Sequence, residues 1–248
     1  LQDDETERVF LIADAMDSGT GSPQAVTGSG YKEIDGVKYM KLKKNGETEY
    51  NYSEINKNKL YMPNASYAEQ ASSYLEECIQ NQNSSGGIIE CIVDGMPAGI
   101  GETVFDKLDA RLSQAIMSIG SVKGVEIGDG FSAAYSNGFD NNDSFFADAN
   151  GNICKETNHS GGILGGMSDG SPIILRAAIK PTPSISQPQK TVTRDGENVE
   201  ITIHGRHDPI IVPRAVVVVE SMVALTLMDL LMINMSSKLD NIKTVYIK

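Results

Sequence analysis

The clearest secondary-structure signal in the sequence is the stretch Glu102–Ile119, ETVFDKLDARLSQAIMSI. Its apolar side chains recur at the spacing of an amphipathic helix, so the pattern predicts a helix over the whole stretch. Thr103 and Asp106 are spaced as a capping box at its start, and Gly120 is placed to end it. The apolar side chains of the stripe are Phe105, Leu108, Leu112, Ala115, Ile116 and Ile119.

The segments around this helix mix short strands with further helices. A helix is predicted to begin near residue 64, with Asn64 or Ser66 as its cap. Ile88–Val93 and Ile173–Ile179 have the composition of strands, and Arg194–Glu197 is a turn signal between the two strands of a hairpin. Because there is no regular strand–helix–strand alternation, the predicted fold class is α+β.

The longest apolar stretch runs from Pro213 to Met235 and is long enough to consider as a membrane span. Arg214, Glu220 and Asp229 interrupt it, and a central carboxylate costs about 2.5–3.5 kcal/mol in a bilayer. The stretch is therefore predicted to be a buried helix of a soluble protein with no membrane partner. It should begin at Pro213, where the missing N–H costs nothing.

Composition narrows the class of protein. The 248 residues carry a net charge of −12, which argues against a nucleic-acid partner, while 40% hydrophobic residues suffice for a core. Three cysteines and no export signal predict a cytoplasmic protein without disulfides. Residues 1–63 are predicted to be a divergent β-rich or loop subdomain with a hairpin at Asp35-Gly36, followed by a core at 64–235 and a tail at 236–248.

The strongest local motif that could carry chemistry is Thr157–Gly166, TNHSGGILGG. Its two glycine pairs let the backbone approach a ligand closely, and bare N–H groups in such a loop can hold an anion. A plain glycine-rich turn between strands would have the same residues. The loop has the spacing of neither a dinucleotide fingerprint nor a P-loop.

Two further turns offer donors and titratable groups. Lys180–Ser184, KPTPS, is a stiff segment with three donor side chains, or an ordinary proline-rich exit from a strand. Gly205–Pro209, GRHDP, combines an anion binder, an imidazole and a carboxylate base, or holds a surface ion pair between Arg206 and Asp208. No metal site is predicted, because no cysteine lies at ligand spacing from the three histidines.

The charge is unevenly spread along the chain. Between Arg176 and Arg214 six basic and four acidic residues leave a net charge of +2, so the rest of the chain carries −14. A cationic stretch within an acidic protein favours a small anionic ligand over a polymer. The net charge of a segment this short also varies by this amount by chance.

Six motifs, in order, resemble the chorismate synthase family over a region from about Gly86 to Leu231. They are specific because both their sequences and their order match. They are Asp94–Asp109 (DGMPAGIGETVFDKLD), Ala115–Phe131 (AIMSIGSVKGVEIGDGF), Thr157–Gly166, Lys180–Thr182 with Pro188–Val192, Gly205–Pro209, and Pro213–Val216 with Glu220–Met222.

The resemblance implies a layered β-α-β sandwich, of which this chain would be a part, and assembly as a homotetramer. It implies conversion of 5-enolpyruvylshikimate 3-phosphate to chorismate by trans-1,4-elimination of phosphate, a step of the shikimate pathway to the aromatic amino acids. The family requires reduced FMN, although the reaction has no net redox change.

The resemblance also implies roles for particular residues. Asp208 matches a carboxylate near flavin N5 that acts in proton transfer, and Arg206 matches a contact to flavin or substrate. Gly165 matches a flavin-contact glycine, while Gly120 and Ser121 stand where related chains carry a flavin-contacting Asn-Ala. The segment that matches the wrapping of the FMN phosphate and ring is Lys180, Pro181, Thr182, Pro183 and Ser184.

Three motifs of the family do not occur in this sequence. They are a Gly-x-Ser-His-Gly segment, Arg-Pro-x-His-Ala-Asp and Gly-Gly-Gly-Arg-Ser-Ser, which hold two catalytic histidines and several substrate-binding arginines. The sequence begins at Leu1, so we expect it to be the C-terminal part of a longer enzyme, inactive unless the rest is supplied. The alternative is a non-catalytic flavin- or anion-binding or assembly module on the same scaffold.

Overall fold

The structure, a computed structural model, describes residues 52–205 and 207–246 together with three short strands near the start of the chain. The strands are β1 (Phe10–Asp14), β2 (Glu33–Ile34), β3 (Val37–Lys38), β4 (Gly87–Val93), β5 (Val122–Ile127), β6 (Phe145–Ala147), β7 (Ile153–Lys155), β8 (Ile163–Leu164), β9 (Met167–Ser168), β10 (Ile173–Ile179), β11 (Gln189–Val192) and β12 (Asn198–Ile201). The α-helices are α1 (Ala65–Gln80), α2 (Leu108–Met117), α3 (Val212–Ser236) and α4 (Leu239–Tyr246), and 3₁₀ helices span Tyr52–Lys57 and Gly130–Tyr135.

A four-stranded sheet in the order β1-β4-β10-β5 forms one side of the core. β1 runs parallel to β4, whereas β10 runs antiparallel to both β4 and β5. Alternate residues of β4 and β10 are buried, as expected when one face of a sheet is covered. Those residues share one hydrophobic cluster with the buried sides of α1, α2 and α3. The predicted strands at 88–93 and 173–179 are confirmed.

Several local predictions from the sequence are confirmed. α1 has Asn64 as its N-cap, whose side-chain oxygen accepts from the Tyr67 amide at 3.1 Å. The turn at 194–197 separates the antiparallel strands β11 and β12. In the first part of the chain, β2 and β3 pair on either side of Asp35-Gly36.

The start of α2 differs from the prediction. The helix begins at Leu108 instead of Glu102, and its N-cap Lys107 makes no side-chain capping bond, so the proposed capping box at Thr103 and Asp106 is wrong. A tertiary contact replaces it, because the Leu108 amide donates to the Gly166 carbonyl at 2.8 Å. Phe105 is 87% exposed and does not join the apolar stripe.

The end of α2 is also a correction. Ser118 is the C-cap and has right-handed helical angles. Gly120 does not adopt the left-handed conformation that a terminating glycine supplies, whereas Ser121 does, with φ of 73°. Gly120 is therefore not the helix stop that its position suggested.

α3 begins at Val212, with Pro213 in its first turn as predicted. One stripe of the helix is buried against the core, but residues on the opposite side, including Leu225 and Met232, are 67% and 63% exposed. The prediction of a buried helix therefore holds for one face only. Among the described residues α3 is long and apolar enough, by length and composition alone, to cross a membrane, a test that core helices of soluble proteins also pass.

The proposed division at residue 63 stays a prediction. β1 lies within the first 63 residues and pairs with β4 in the central sheet over Phe10–Asp14. The predicted tail at 236–248 contains the short helix α4.

Candidate functional site

One end of the sheet gathers most of the residues predicted to bind the cofactor. β10 ends at Ile179, and Lys180–Ser184 follows it directly. The Lys180 amide donates to the Ser121 carbonyl at 3.0 Å, which brings the Gly120-Ser121 turn against this segment. The left-handed conformation of Ser121 is uncommon for a residue other than glycine, and strain of this kind is often found at functional sites.

The turn of Ser84, Ser85 and Gly86, which we call the 84–86 junction, connects this segment to the Asp208 turn. Ser84 Oγ donates to the Thr182 carbonyl at 2.6 Å. The next residue, Ser85, donates its amide to the Pro209 carbonyl at 2.7 Å and forms an isolated β-bridge with Ile210. One short turn thus positions two segments that are far apart in the sequence.

Gly86 is required at the junction for steric reasons. A Cβ atom there would lie 2.5 Å from the Ile179 carbonyl oxygen and 3.0 Å from Pro181 Cδ. This role was not identified from the sequence. The one available signal was the small-residue run Ser-Ser-Gly-Gly at 84–87, which is compatible with close backbone packing.

Asp208 lies in the turn that precedes α3, and Arg214 in the first turn of that helix holds its carboxylate. The two guanidinium nitrogens of Arg214 approach the two carboxylate oxygens at 2.9 and 3.1 Å, a bidentate pair. The Arg214 side chain is 73% exposed, so the pair contributes little to stability. Arg206, predicted to contact flavin or substrate, lies outside the described residues.

Thr182 supplies an observation that points to a ligand. Its Oγ1 atom is buried and has no hydrogen-bond partner within the part of the chain that the structure describes. A buried polar atom left without a partner costs about 1–3 kcal/mol. A ligand that hydrogen-bonds this hydroxyl would recover that free energy, so the residues present fit a bound phosphorylated group such as FMN.

Gly165 lies at the other end of the sheet. It is in the turn between β8 and β9, and the next residue, Gly166, accepts from the first amide of α2. The seven residues of β10 separate this end from Lys180, a distance of roughly 20 Å at the rise of a strand. The structure therefore does not bring Gly165 together with Lys180–Ser184.

The glycines of the 157–166 loop have different roles. A Cβ atom at Gly161, Gly162 or Gly166 would collide with backbone atoms of the chain itself at 2.4–2.5 Å. Gly165 also has a positive φ, of 61°, but nothing lies within 4 Å of its Cβ position. Of these four, Gly165 is the one whose open side leaves room for a ligand.

A buried polar cluster supports the same loop. Lys155 Nζ contacts Asp169 Oδ2 at 2.7 Å, Ser160 Oγ at 3.0 Å and Asp143 Oδ2 at 3.2 Å. Side-chain exposures of 5–9% for the lysine and the two aspartates show that this charge cluster is shielded from water. The paired charges fix the base of the loop, which sequence reasoning did not identify.

Asp143 is the main acceptor in this cluster. Burial by itself would raise the pKa of its carboxyl, but hydrogen bonds from the Ser160 hydroxyl and amide, the Thr157 hydroxyl and the His159 amide outweigh burial. The pKa is held well below its usual range, so Asp143 is ionised throughout the physiological range. The pKa of Asp169 is also lowered, because bonds from Lys155 and Ser171 outweigh its burial.

His159 and Ser160 do not form a nucleophile–base pair. Ser160 Oγ donates to Asp143 Oδ2 at 2.6 Å, whereas His159 Nδ1 lies 2.6 Å from Asp129 Oδ2. Both side chains are therefore engaged in holding the loop. Among the described residues no three His, Cys, Asp or Glu side chains form a group that could hold a metal ion.

Comparison with known proteins identifies the family. A sequence profile of the family "Chorismate synthase" matches residues 24–232. Chorismate synthase of Lachnoclostridium phytofermentans is 65% identical over 189 residues, which cover 76% of this chain and 52% of the relative. Chorismate synthase of Agathobacter rectalis is 58% identical over 202 residues, 82% of this chain and 55% of the relative.

A solved structure agrees with these sequence matches. "Crystal Structure of Chorismate Synthase" superposes with a TM-score of 0.62 at 29% identity and covers 75% of this chain and 49% of that chain. The chain belongs to the chorismate synthase family, which confirms both the resemblance and the α+β fold class. It spans about half the length of the curated relatives that it matches.

Proposed function

We propose that this chain is part of a chorismate synthase, a lyase that eliminates phosphate from 5-enolpyruvylshikimate 3-phosphate to give chorismate. The observation that carries the proposal is the 84–86 junction, which holds Lys180–Ser184 and the Asp208 turn together. The buried Thr182 hydroxyl is a second support, because it has no partner among the described residues and a phosphorylated ligand could provide one.

Reduced FMN is the proposed cofactor, and when bound it supplies electron density transiently to the substrate. Lys180, Thr182 and Ser184 would hold it, with donors that suit a phosphate and two prolines that keep the segment stiff. The turn of Gly120 and Ser121 would pack beside the cofactor, because the Ser121 carbonyl accepts a hydrogen bond from the Lys180 amide. Gly165 is proposed as a flavin contact on the resemblance and on its open side. Because β10 separates it from Lys180 by roughly 20 Å, a flavin held by Lys180–Ser184 would have to reach along the whole strand to touch it.

Asp208 is the proposed proton-transfer residue. Its carboxylate oxygens are the atoms at which a proton would be held, and the bidentate contact to Arg214 fixes their orientation. Arg206 is proposed to contact flavin or substrate. The net charge of +2 between Arg176 and Arg214 suits the anionic substrate.

The proposal extends to the assembled protein. A cytoplasmic homotetramer is proposed from the family resemblance. We also propose that these 248 residues do not catalyse the reaction by themselves, because the histidine and arginine motifs that the resemblance implies are not among them.

The deciding experiment measures phosphate release from 5-enolpyruvylshikimate 3-phosphate, under anaerobic conditions with reduced FMN, by the gene product that carries this chain. A synthase releases phosphate and forms chorismate in equal amounts. Binding of flavin without phosphate release would favour the alternative, a non-catalytic module on the same scaffold. Turnover by the 248 residues alone, at a rate typical of enzymes, would contradict the proposed inactivity.

A further inference from the structure

The ammonium group of Lys155 lies in a cage of four side-chain oxygen atoms from the described residues. Asp169 Oδ2 lies 2.7 Å from Nζ, Ser160 Oγ 3.0 Å and Asp143 Oδ2 3.2 Å. Asn158 Oδ1 completes the cage at 3.3 Å. A lysine is almost never buried unless its charge is paired, and here the partners reach it from three separate segments of the chain.

Two of these segments lead into the two legs of one hairpin. β8 and β9 pair antiparallel and are joined by Gly165-Gly166, a tight turn in which both residues have positive φ, of 61° and 88°. We call this unit the β8–β9 hairpin. Asn158 and Ser160 stand before β8, whereas Asp169 follows β9 directly. The ammonium group therefore joins the two legs at the base of the hairpin, at the opposite end from Gly165.

Backbone hydrogen bonds carry the geometry of the cage into the hairpin. Asn158 Oδ1, which contacts the ammonium group, also accepts from the Gly162 amide at 2.8 Å. The Asp169 amide in turn donates to the Gly162 carbonyl at 3.0 Å. Gly162 directly precedes β8, so a shift of either Asn158 or Asp169 would displace the start of the hairpin.

The cage requires a positive charge at its centre. Asp143 and Asp169 are both shielded from water, and hydrogen bonds lower the pKa of both carboxyls, so both side chains carry a charge. Without the ammonium group two like charges would share a pocket of low dielectric, which is strongly unfavourable. Their repulsion would push Asp169 away from Asp143 and open the base of the hairpin.

We propose that Lys155 is a positioning residue for the flavin: its ammonium group is a tethered cation that closes the base of the β8–β9 hairpin and thereby sets the place of Gly165. Lys155 acts through the hairpin and does not itself contact the cofactor. The effect on flavin binding rests on the proposed function. The closure of the hairpin rests on the contacts of Lys155 alone.

Chemical replacement of the lysine side chain can test this inference in the gene product that carries this chain. Lys155→Ala removes every atom beyond Cβ, and n-propylammonium has the size and the charge of the part removed. 1-Propanol has nearly the same shape without the charge. Hydrogen exchange of the amides of residues 158–169 is followed by mass spectrometry without flavin, and the dissociation constant of FMN is measured by fluorescence titration.

We expect Lys155→Ala to speed exchange across residues 158–169 and to raise the dissociation constant of FMN, each by about tenfold, the effect of losing one well-aligned hydrogen bond. n-Propylammonium should restore both values, and 1-propanol should restore neither. The matched control is Lys243→Ala, because Lys243 also pairs with an aspartate, Asp240, at 3.3 Å but on the surface. The control should leave both values unchanged.

Asp169→Asn is a second variant that keeps the lysine and removes the charge of one partner. It should speed exchange of the same residues by a smaller factor than Lys155→Ala, and n-propylammonium should have no effect on it. If Lys155→Ala does not fold, Asp169→Asn decides the question, and exchange at the wild-type rate in this variant would overturn the proposal.

Other results would contradict particular steps. Unchanged exchange in Lys155→Ala, failure of n-propylammonium to restore it, or equal restoration by 1-propanol would refute the tethered cation. Weaker FMN binding with normal exchange would refute the action through the hairpin, and faster exchange with normal FMN binding would refute the positioning of the flavin. If the wild-type protein binds no FMN, the proposed function fails, and the exchange rates still decide whether Lys155 closes the hairpin.

Discussion

Replacing Thr182 with valine should change stability and flavin affinity in opposite directions. Valine has nearly the same shape as threonine but lacks the hydroxyl, whose oxygen is buried and has no partner in the described part of the chain. Removing a polar atom that has no partner recovers about 1–3 kcal/mol of desolvation free energy. The free energy of unfolding without ligand should therefore rise by about 1 kcal/mol or more.

The same substitution should weaken flavin binding. The hydrogen bond that the hydroxyl would give to the cofactor is worth about 0.5–1.5 kcal/mol, or about 1.5–3 kcal/mol if its partner is a charged phosphate oxygen. At about 1.4 kcal/mol per factor of ten, the dissociation constant of FMN should rise between roughly twofold and a hundredfold.

Urea unfolding without flavin and fluorescence titration with FMN measure the two effects separately. The matched control is Thr226→Val, because Thr226 Oγ1 already donates to the Met222 carbonyl at 2.7 Å and lies within α3. The control should lose stability and leave flavin affinity unchanged. An unchanged FMN dissociation constant in Thr182→Val, together with lower stability, would refute the role assigned to this hydroxyl.

Three further predictions concern the junction, the polar cluster and the proton-transfer residue. Gly86→Ala should lower the free energy of unfolding in urea by about 1–3 kcal/mol, because the new Cβ atom would lie 2.5 Å from a carbonyl oxygen. The control Gly120→Ala, which has nothing within 4 Å of its Cβ position, should change it by no more than about 0.5 kcal/mol. Equal losses in the two variants would contradict the packing described. The pKa of Asp143 is lower in the folded than in the unfolded chain, so its carboxylate stabilises the fold above the unfolded pKa near 4, and this stabilisation is lost as the pH falls toward the folded pKa. Asp143→Asn should therefore make the free energy of unfolding depend less on pH in the acid range. An unchanged acid dependence would contradict the role of Asp143 in the cluster. Asp208→Asn should lower turnover by about 10²–10⁴-fold, because it removes the proposed proton-transfer group. Stability should stay near normal, because the ion pair that is lost is exposed. Turnover equal to that of the wild type would remove Asp208 from the mechanism.

The sequence was most informative where one face of an element is buried. The strand at 173–179 could be placed to the residue, because a short apolar run bounded by polar turns is typical of a buried strand. The start of α2 could not be placed, because the Gly166 carbonyl, 58 residues away, satisfies its first amide and replaces a local cap. Local patterns carry no information about a partner so distant in sequence.

The motif resemblance proposed residues for the candidate site but carried no information about their arrangement. The motif resemblance named both Gly165 and Lys180–Ser184. It could not show that β10 places them at opposite ends of the sheet. The 84–86 junction escaped prediction because its bonds go to residues about a hundred positions later. The sequence could not show which face of α3 is buried and which is exposed, because both faces carry apolar side chains.

The most direct test of the proposed cofactor site is a crystal structure of the gene product that carries this chain, with FMN bound. We predict that the cofactor lies at the 84–86 junction end of the sheet and that Thr182 Oγ1 is within hydrogen-bond distance of it. Cofactor density that leaves Lys180–Ser184 uncontacted, with the Thr182 hydroxyl still unpaired, would contradict this placement.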